Sequence, residues 1–395
     1  MPTTKAKIGA GRQLKILMLL LYYHPHPTGL TYYAQLVAEG LVRRGHEVTV
    51  LVARHTKETP LGESMLNGVR IVRLWAPIRI SRGFIMPSYP WKVYRLMREH
   101  DVVSIFTPLF ESAFGALLAR ITGVRFIASH TSDLILPKSA TNDFVTAVMF
   151  AIFRFMARRA ACIISLSEDY ADNSPWLAQF RAQVRPIYPP IAIPDPDMER
   201  AARLRGKLRQ NDGPLIGFSG RFVEEKRPEL LIKSLEVINA KYPDAQIAFT
   251  GQHEIPYEDT WARHRPLMEK FSSQLKFLGL LETKQELADF YAACDVFVLP
   301  SDSEGFAMAQ VEAMLCGTPV VMTDIPGGRV PVQKTGMGRL ATPGDWKSIG
   351  EAILNVLDNR DSYVKPKEQI AEVFSLKDTL DQYESIFCKF ARHRK

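Results

Sequence analysis
The sequence predicts an α/β chain of two doubly wound domains. Three observations predict it. The chain has 395 residues, beyond the roughly 250–300 residues at which a single core stops growing. Each half alternates apolar, strand-like runs with stretches of helical periodicity, the pattern of βαβ units and parallel sheets. Between the halves, Ile187–Asp197 carries Pro189, Pro190, Pro194 and Pro196, which no ordinary helix accommodates. The predicted domains are therefore 1–193 and 194–375, with a terminal helix over 376–395 completing the first.

Lys15–Tyr23 (KILMLLLYY) is continuously apolar, as in a strand buried on both faces. A Pro- and Gly-rich turn follows. Tyr32–Arg44 then repeats apolar residues at helical spacing until Gly45, and Glu47–Ala53 reads as the next strand. Further strands are predicted at Val69–Leu74, Asp101–Phe106, Arg125–Ser129 and Cys162–Leu166, with helices between them. In the second half the strands are Leu215–Ser219, Ala245–Thr250, Lys276–Leu278, Val296–Pro300 and Pro319–Thr323. The helices there are Pro228–Tyr242, Lys284–Ala293, Gly305–Leu315 and Trp346–Asp358, and the last helix runs from Leu376 to about Arg392. Ligands are expected in a cleft between the domains, at strand carboxyl ends.

Composition excludes several classes. The four cysteines, Cys162, Cys294, Cys316 and Cys388, are scattered and form no C-x-x-C pair, which fits a reducing compartment rather than a disulfide scaffold or zinc motif. No apolar run is long enough to span a membrane. Lys5, Lys7, Arg12 and Lys15 precede the short run Ile16–Leu21, which reads as a buried first strand rather than a secretory leader. Residues 1–195 hold 23 Lys and Arg against 13 Asp and Glu, and the remainder 27 against 29. The basic half points to an anionic partner, phosphate or membrane surface, or is simply a basic solvated face. Nucleic acid is not expected, because no zinc-finger, RRM or basic-zipper signature occurs. The fingerprints of dinucleotide, P-loop and nucleophile-elbow enzymes are absent too.

Four places carry chemistry. Pro300–Phe306 ends a strand and leads into a helix, whose amino terminus suits a pyrophosphate. Glu304 lies there and Glu312 eight residues on, about 12 Å away along the axis if both are helical; the alternative is a capping Glu and a surface Glu. Gly220-Arg221, with Lys226 five residues later, flanks a strand-to-helix turn and would clamp a diphosphate, or is a cationic turn paired with Glu224 and Glu225. His130 ends the strand RFIAS, either facing a sugar hydroxyl or bonded locally. Gly29 precedes the first helix, where glycine permits close approach to a phosphate or is a plain loop residue. Asp195-Pro196-Asp197 is read as turn chemistry, and no metal site is expected.

Taken together, EGFAMAQVE (304–312), CGTPVV (316–321), IPGG (325–328) and GFSGRFVEEKRPELLIKSL (217–235) resemble the signature of the family 4 retaining glycosyltransferases of GT-B fold. KFLGLLETKQELADFYAACDVFVLPS (276–301) and TGLTYYAQLVAEGLVRRGHEVTVLV (28–52) resemble the same family. The resemblance implies two Rossmann-like domains and transfer from a nucleotide-diphosphate sugar, without metal or further cofactor. It implies that Arg221 and Lys226 neutralise the diphosphate and that Glu312 bonds the ribose. Glu304 and His130 would contact the donor sugar. Gly29 and the backbone of Gly305, Phe306, Ala307 and Met308 would hold phosphate and sugar. The chain departs from the family at Leu30, where a second Gly is usual, at Ala307-Met308 in place of Gly-Leu, and at Pro189-Pro190 in place of Asn-Gly. A nucleotide-sugar epimerase or phosphorylase of the same fold, and an idle nucleotide-binding scaffold, are the alternatives.

The acceptor is expected on the basic domain. Ser81–Trp91 (SRGFIMPSYPW) and Phe144–Ala160 (FVTAVMFAIFRFMARRA) combine aromatic with basic residues. They suit a lipid-linked or glycolipid acceptor and peripheral contact with an anionic membrane at its cytoplasmic face, or else form a packed loop and a core helix.

Overall fold
The computed structural model describes residues 12–26, 28–80, 83–133, 140–255 and 258–392. Lys5, Lys7 and the first two residues of the Ser81–Trp91 loop lie outside them. The chain divides into two compact units. One comprises residues up to Ser165, Ser174–Ile187 and Lys377 onward; the other comprises Leu166–Asn173 and Tyr188–Leu376.

Among the described residues, the strands of the first unit are β1 (Lys15–Leu19), β2 (Glu47–Ala53), β3 (Gly62–Leu66), β4 (Val69–Leu74), the hairpin β5 (Ile78–Ile80) and β6 (Gly83–Ile85), β7 (Val102–Thr107), β8 (Phe126–His130), β9 (Ile163–Ser165) and β10 (Val184–Pro186). Apart from the hairpin they form one sheet, ordered β10-β9-β8-β7-β1-β2-β4-β3. All neighbours are parallel except β3 with β4. The central strand β1 buries Ile16, Leu17, Met18 and Leu19 completely, each contributing about 1.5–3 kcal/mol. The helix Gly29–Arg43 follows β1. The last helix, Leu376–Phe390, packs on it. Arg44 bonds Glu384 at 2.6 Å and Asp381 at 2.7 Å, and Leu380 abuts Gly40, where a Cβ would lie 2.5 Å from it.

The second unit has β11 (Leu215–Ser219), β12 (Gln246–Thr250), β13 (Leu275–Phe277), β14 (Val296–Leu299), β15 (Val320–Thr323) and β16 (Gly338–Ala341). Their order is β13-β12-β11-β14-β15-β16, all parallel. This is a doubly wound sheet whose switch point falls between β11 and β14, so the turns after those strands flank the ligand crevice of such folds. In the first unit the switch point falls between β1 and β7.

Two expected helices differ. The one over Pro228–Tyr242 breaks into Pro228–Lys233 and Leu235–Ile238 at Ser234, whose hydroxyl donates to the Leu231 carbonyl at 2.7 Å, a local bond that competes with the helix. The one over Gly305–Leu315 begins only at Met308, because Ala307 adopts φ +58°. Glu304 is therefore not helical, and the 12 Å axial spacing to Glu312 does not apply. The strands missed in the sequence, β3, β5, β6, β10 and β16, are short: β3 and β10 carry exposed residues, and β16 follows Gly336 and contains Gly338.

Candidate active site
The second unit gathers its site at the switch point. After β11, the Gly220 amide donates to the Thr250 carbonyl at 2.9 Å. Gly251, at φ +119°, comes so close that a Cβ there would lie 2.3 Å from the Gly220 carbonyl; only glycine fits. Arg221 then sits 3.6 Å from Glu225. Lys226 ends a short 3-10 turn, Glu224–Lys226, and its Nζ donates to Glu304 Oε1 at 2.5 Å.

The turn after β14 is stapled to this one at further points. The Asp302 amide donates to the Glu225 carbonyl at 2.9 Å. Arg227 donates to Asp302 at 2.7 Å and to Glu229 at 2.6 Å. The Ser301 hydroxyl donates to Glu304 Oε1 at 2.9 Å. Beneath Glu304 runs the Gly327-Gly328 turn. A Cβ on Gly327 would lie 2.5 Å from the Gly305 carbonyl and 2.8 Å from that of Glu304. The Gly327 amide donates to Asp169 Oδ2 at 2.8 Å, and Arg329 donates to Asp169 Oδ1 at 2.6 Å. Phe306 is buried against Tyr188 and Phe374. The amides at the start of the helix Met308–Leu315 have no partner within that helix.

Glu312, on that helix, is buried. Lys284 Nζ donates to its Oε1 at 2.5 Å and the Tyr291 hydroxyl to its Oε2 at 3.2 Å. Burial, with the Glu312 charge added, pushes the Tyr291 hydroxyl well above its ordinary pKa, so it stays a donor. Four of the expected site residues, Arg221, Lys226, Glu304 and Glu312, thus line two adjoining turns and one helix of the second unit. Of these, Lys226 and Glu304 are bonded to each other. Arg227, Lys284, Tyr291, Asp169 and Arg329 were not read from the sequence, and nothing in their local pattern marks them.

The first unit carries His130 and Gly29. His130 ends β8 and is 1% exposed. Its Nδ1 is hydrogen-bonded to Thr107 Oγ1 at 2.8 Å, its Nε2 to Asp133 Oδ1 at 3.1 Å, and Trp176 meets its ring edge-on. Burial raises the Asp133 carboxyl, but the His130 bond and charge, with Ser174 and Trp176, outweigh it and hold the pKa below the usual value. Gly29 opens its helix after the cap Thr28, whose hydroxyl accepts from the Thr31 amide at 3.3 Å. A Cβ at Gly29 would meet nothing within 4 Å, so packing within the unit does not require glycine.

Among the described residues, no group of three or more His, Cys, Asp or Glu side chains is arranged to hold a metal ion, and no helix is long and apolar enough to cross a membrane.

Two family profiles match the chain. Residues 201–373 match the glycosyl transferases group 1, and residues 28–190 match the glycosyl transferase 4-like domain. The 2-deoxystreptamine glucosyltransferase of Streptomyces kanamyceticus is 32% identical over 62% of this chain and 64% of that protein, so the chain spans under two thirds of that relative's length. The GDP-mannose-dependent alpha-(1-6)-phosphatidylinositol monomannoside mannosyltransferase of Mycolicibacterium smegmatis is 25% identical over 87% of this chain and 89% of that protein. Among solved structures, Anabaena HepE in complex with UDP-glucose superposes with a TM-score of 0.75 at 18% identity, covering 95% of this chain and 100% of that one. Sucrose-phosphate synthase of Thermosynechococcus elongatus gives 0.74 at 19% identity, covering 96% and 99%. These two likenesses show the fold.

Proposed function
The chain belongs to the group 1 glycosyltransferases, with the GT-B fold, and from that premise we propose that it moves a sugar, with retention and without metal, from a nucleotide-diphosphate sugar to a lipid-linked or glycolipid acceptor. The observation that carries the reading is the pairing of the turns after β11 and β14. It sets Lys226 on Glu304, with Arg221 on the same turn as Lys226 and paired with Glu225, at the switch point of the second sheet.

The chemistry follows from charge. Donor cleavage leaves a nucleoside diphosphate whose negative charge grows as the glycosidic bond breaks. Arg221 meets it with a planar fork and Lys226 with a point charge, and the amides at the start of Met308–Leu315 add dipoles that need no reorganisation. Glu304 sits on the sugar side. Glu312, fixed by Lys284 and Tyr291, offers the ribose diol its carboxylate. In the first unit, Gly29 leaves room for a phosphate to approach backbone. Contact between His130 and a sugar hydroxyl requires Asp133 to give up Nε2.

The names of the relatives support donor and acceptor classes: UDP-glucose is bound by one neighbour, and a phosphatidylinositol mannoside is the acceptor of one relative. The basic first unit suits a peripheral position on the cytoplasmic face of a membrane.

A thermal-shift screen of UDP-, GDP-, ADP- and TDP-sugars tests the donor site. A ligand at a hundredfold over its dissociation constant stabilises by about 2.7 kcal/mol, and Arg221→Ala is expected to lose the shift. No shift with any nucleotide sugar moves the reading to an idle scaffold, and a shift with turnover of donor alone moves it to an epimerase.

A further inference from the structure
The first unit carries a second concave site, on the edge of its sheet opposite His130. At the amino-terminal ends of β8 and β9 a cavity of 420 Å³ is lined by Arg120, Arg125 and Arg159 over an apolar floor that includes Val124, Phe126 and Phe390. No acid lines it. Among the described residues none of the three guanidinium groups has a carboxylate within ion-pair distance. Arg159 is held in place, lying 3.6 Å over the Phe155 ring and donating to the Phe155 carbonyl at 2.9 Å. Three cations around one hollow repel one another, and an anion between them relieves that repulsion.

The surface beside the cavity is apolar. The helices Ser112–Thr122 and Ala140–Ala157 pack side by side. Phe114, Leu117 and Ile121 stand on one stripe of the first, Phe144 and Val148 on one stripe of the second, and all five are between 37% and 69% exposed. Asp143 is the one acid in the two helices, while Arg120, Arg154, Arg158 and Arg159 lie at or just beyond their carboxyl ends. Apolar rows bordered by arginines, with almost no acid, match the boundary between acyl chains and anionic headgroups better than a mixed-charge protein partner.

We propose that this helix pair docks on an anionic phospholipid bilayer, with a lipid phosphate held by Arg120, Arg125 and Arg159. The proposal deepens the peripheral-membrane part of the proposed function and rests on that part alone. Phe126 and His130 are the two ends of β8, so the bound lipid is an anchor and not the acceptor: it sits about 13 Å of strand away from the end that carries the chemistry.

Co-sedimentation of the full chain with phosphatidylcholine vesicles, with and without phosphatidylglycerol, tests it. Binding is expected only with phosphatidylglycerol. The exposed triple variant Arg120→Gln, Arg125→Gln, Arg159→Gln is expected to lose about 100-fold in partitioning, at about 1 kcal/mol per charge. Phe144→Ser with Ile121→Ser is expected to weaken binding that persists at high salt. The thermal shift with the donor nucleotide should be unchanged in all of these variants, which checks their folding and separates failure here from failure of the transferase reading. Wild-type partitioning by the triple variant, no vesicle binding by the wild type, or release from vesicles by low concentrations of inorganic phosphate would each overturn the proposal, the last by making the cavity a site for free anions.

Discussion

Lys226 Nζ donates to Glu304 Oε1 at 2.5 Å, joining the two turns that flank the switch point of the second sheet. Each residue is therefore the other's counterion before a donor arrives, and a diphosphate must compete with Glu304 for the ammonium. Glu304→Gln is expected to cut transfer by about 100-fold or more, yet to tighten free nucleoside diphosphate about fivefold, the worth of about 1 kcal/mol for this largely buried ion pair. Lys226→Met is expected to weaken the same ligand. Calorimetric titration with the diphosphate checks both; weaker binding by Glu304→Gln would show that the carboxylate orients Lys226 rather than masking it.

Gly327 supports that pair from below. At φ +76° and with a Cβ that would lie 2.5 Å from the Gly305 carbonyl, Gly327→Ala suffers both backbone strain and a clash, about 1–3 kcal/mol beyond strain alone. Gly344, at φ +75° with nothing within 4 Å, is the control: Gly344→Ala suffers strain only. Denaturant midpoints of the two variants should differ accordingly, and only Gly327→Ala should lose donor affinity, since only it moves the backbone of Glu304 and Gly305.

The placement of the candidate residues at strand ends was legible because it follows from apolar runs and turn residues that are local. β1, β11, β14 and the helix Trp346–Asp358 fall where their periodicity places them; Arg221, Lys226 and Glu304 lie on the turns after β11 and β14, and Glu312 on the helix that follows. What was not legible is tertiary. Asp169 reaches the Gly327 amide across 158 residues, Lys284 reaches Glu312 across 28, and Arg227 reaches Asp302 across 75; no short-range pattern encodes such partners. The helix start failed for a different reason: Ala307 adopts a left-handed conformation that its residue type disfavours.

That conformation is itself testable. An L-residue in the left-handed region costs roughly 1–2 kcal/mol, against which glycine loses about 0.5–1 kcal/mol of chain entropy. Ala307→Gly is therefore expected to leave stability unchanged or raise it by about 1 kcal/mol, while keeping the geometry that starts the helix at Met308. Chemical denaturation checks this; clear destabilisation would mean that the alanine methyl packs usefully and outweighs the strain.

Glu111 gives the first unit a pH dependence. Its Oε1 accepts from the Met86 amide at 2.9 Å, while its Oε2 is buried without a partner. Burial raises its pKa above the ordinary 4.5, with the Met86 bond opposing in part. The native state therefore holds this proton more tightly than the unfolded chain. The favourable contribution is complete below the unfolded pKa and is lost as pH rises from about 4.5 through the folded value. Above the folded value Glu111 is a buried, half-satisfied charge. Gln at this position keeps an oxygen for the Met86 amide, removes the charge, and turns an amide toward the surroundings of the Tyr89 hydroxyl, which also lies buried without a partner. Glu111→Gln should raise the melting temperature of the protein at pH 8 and gain less, or nothing, at pH 4. A gain that is the same at both values would trace the effect to packing rather than to the proton.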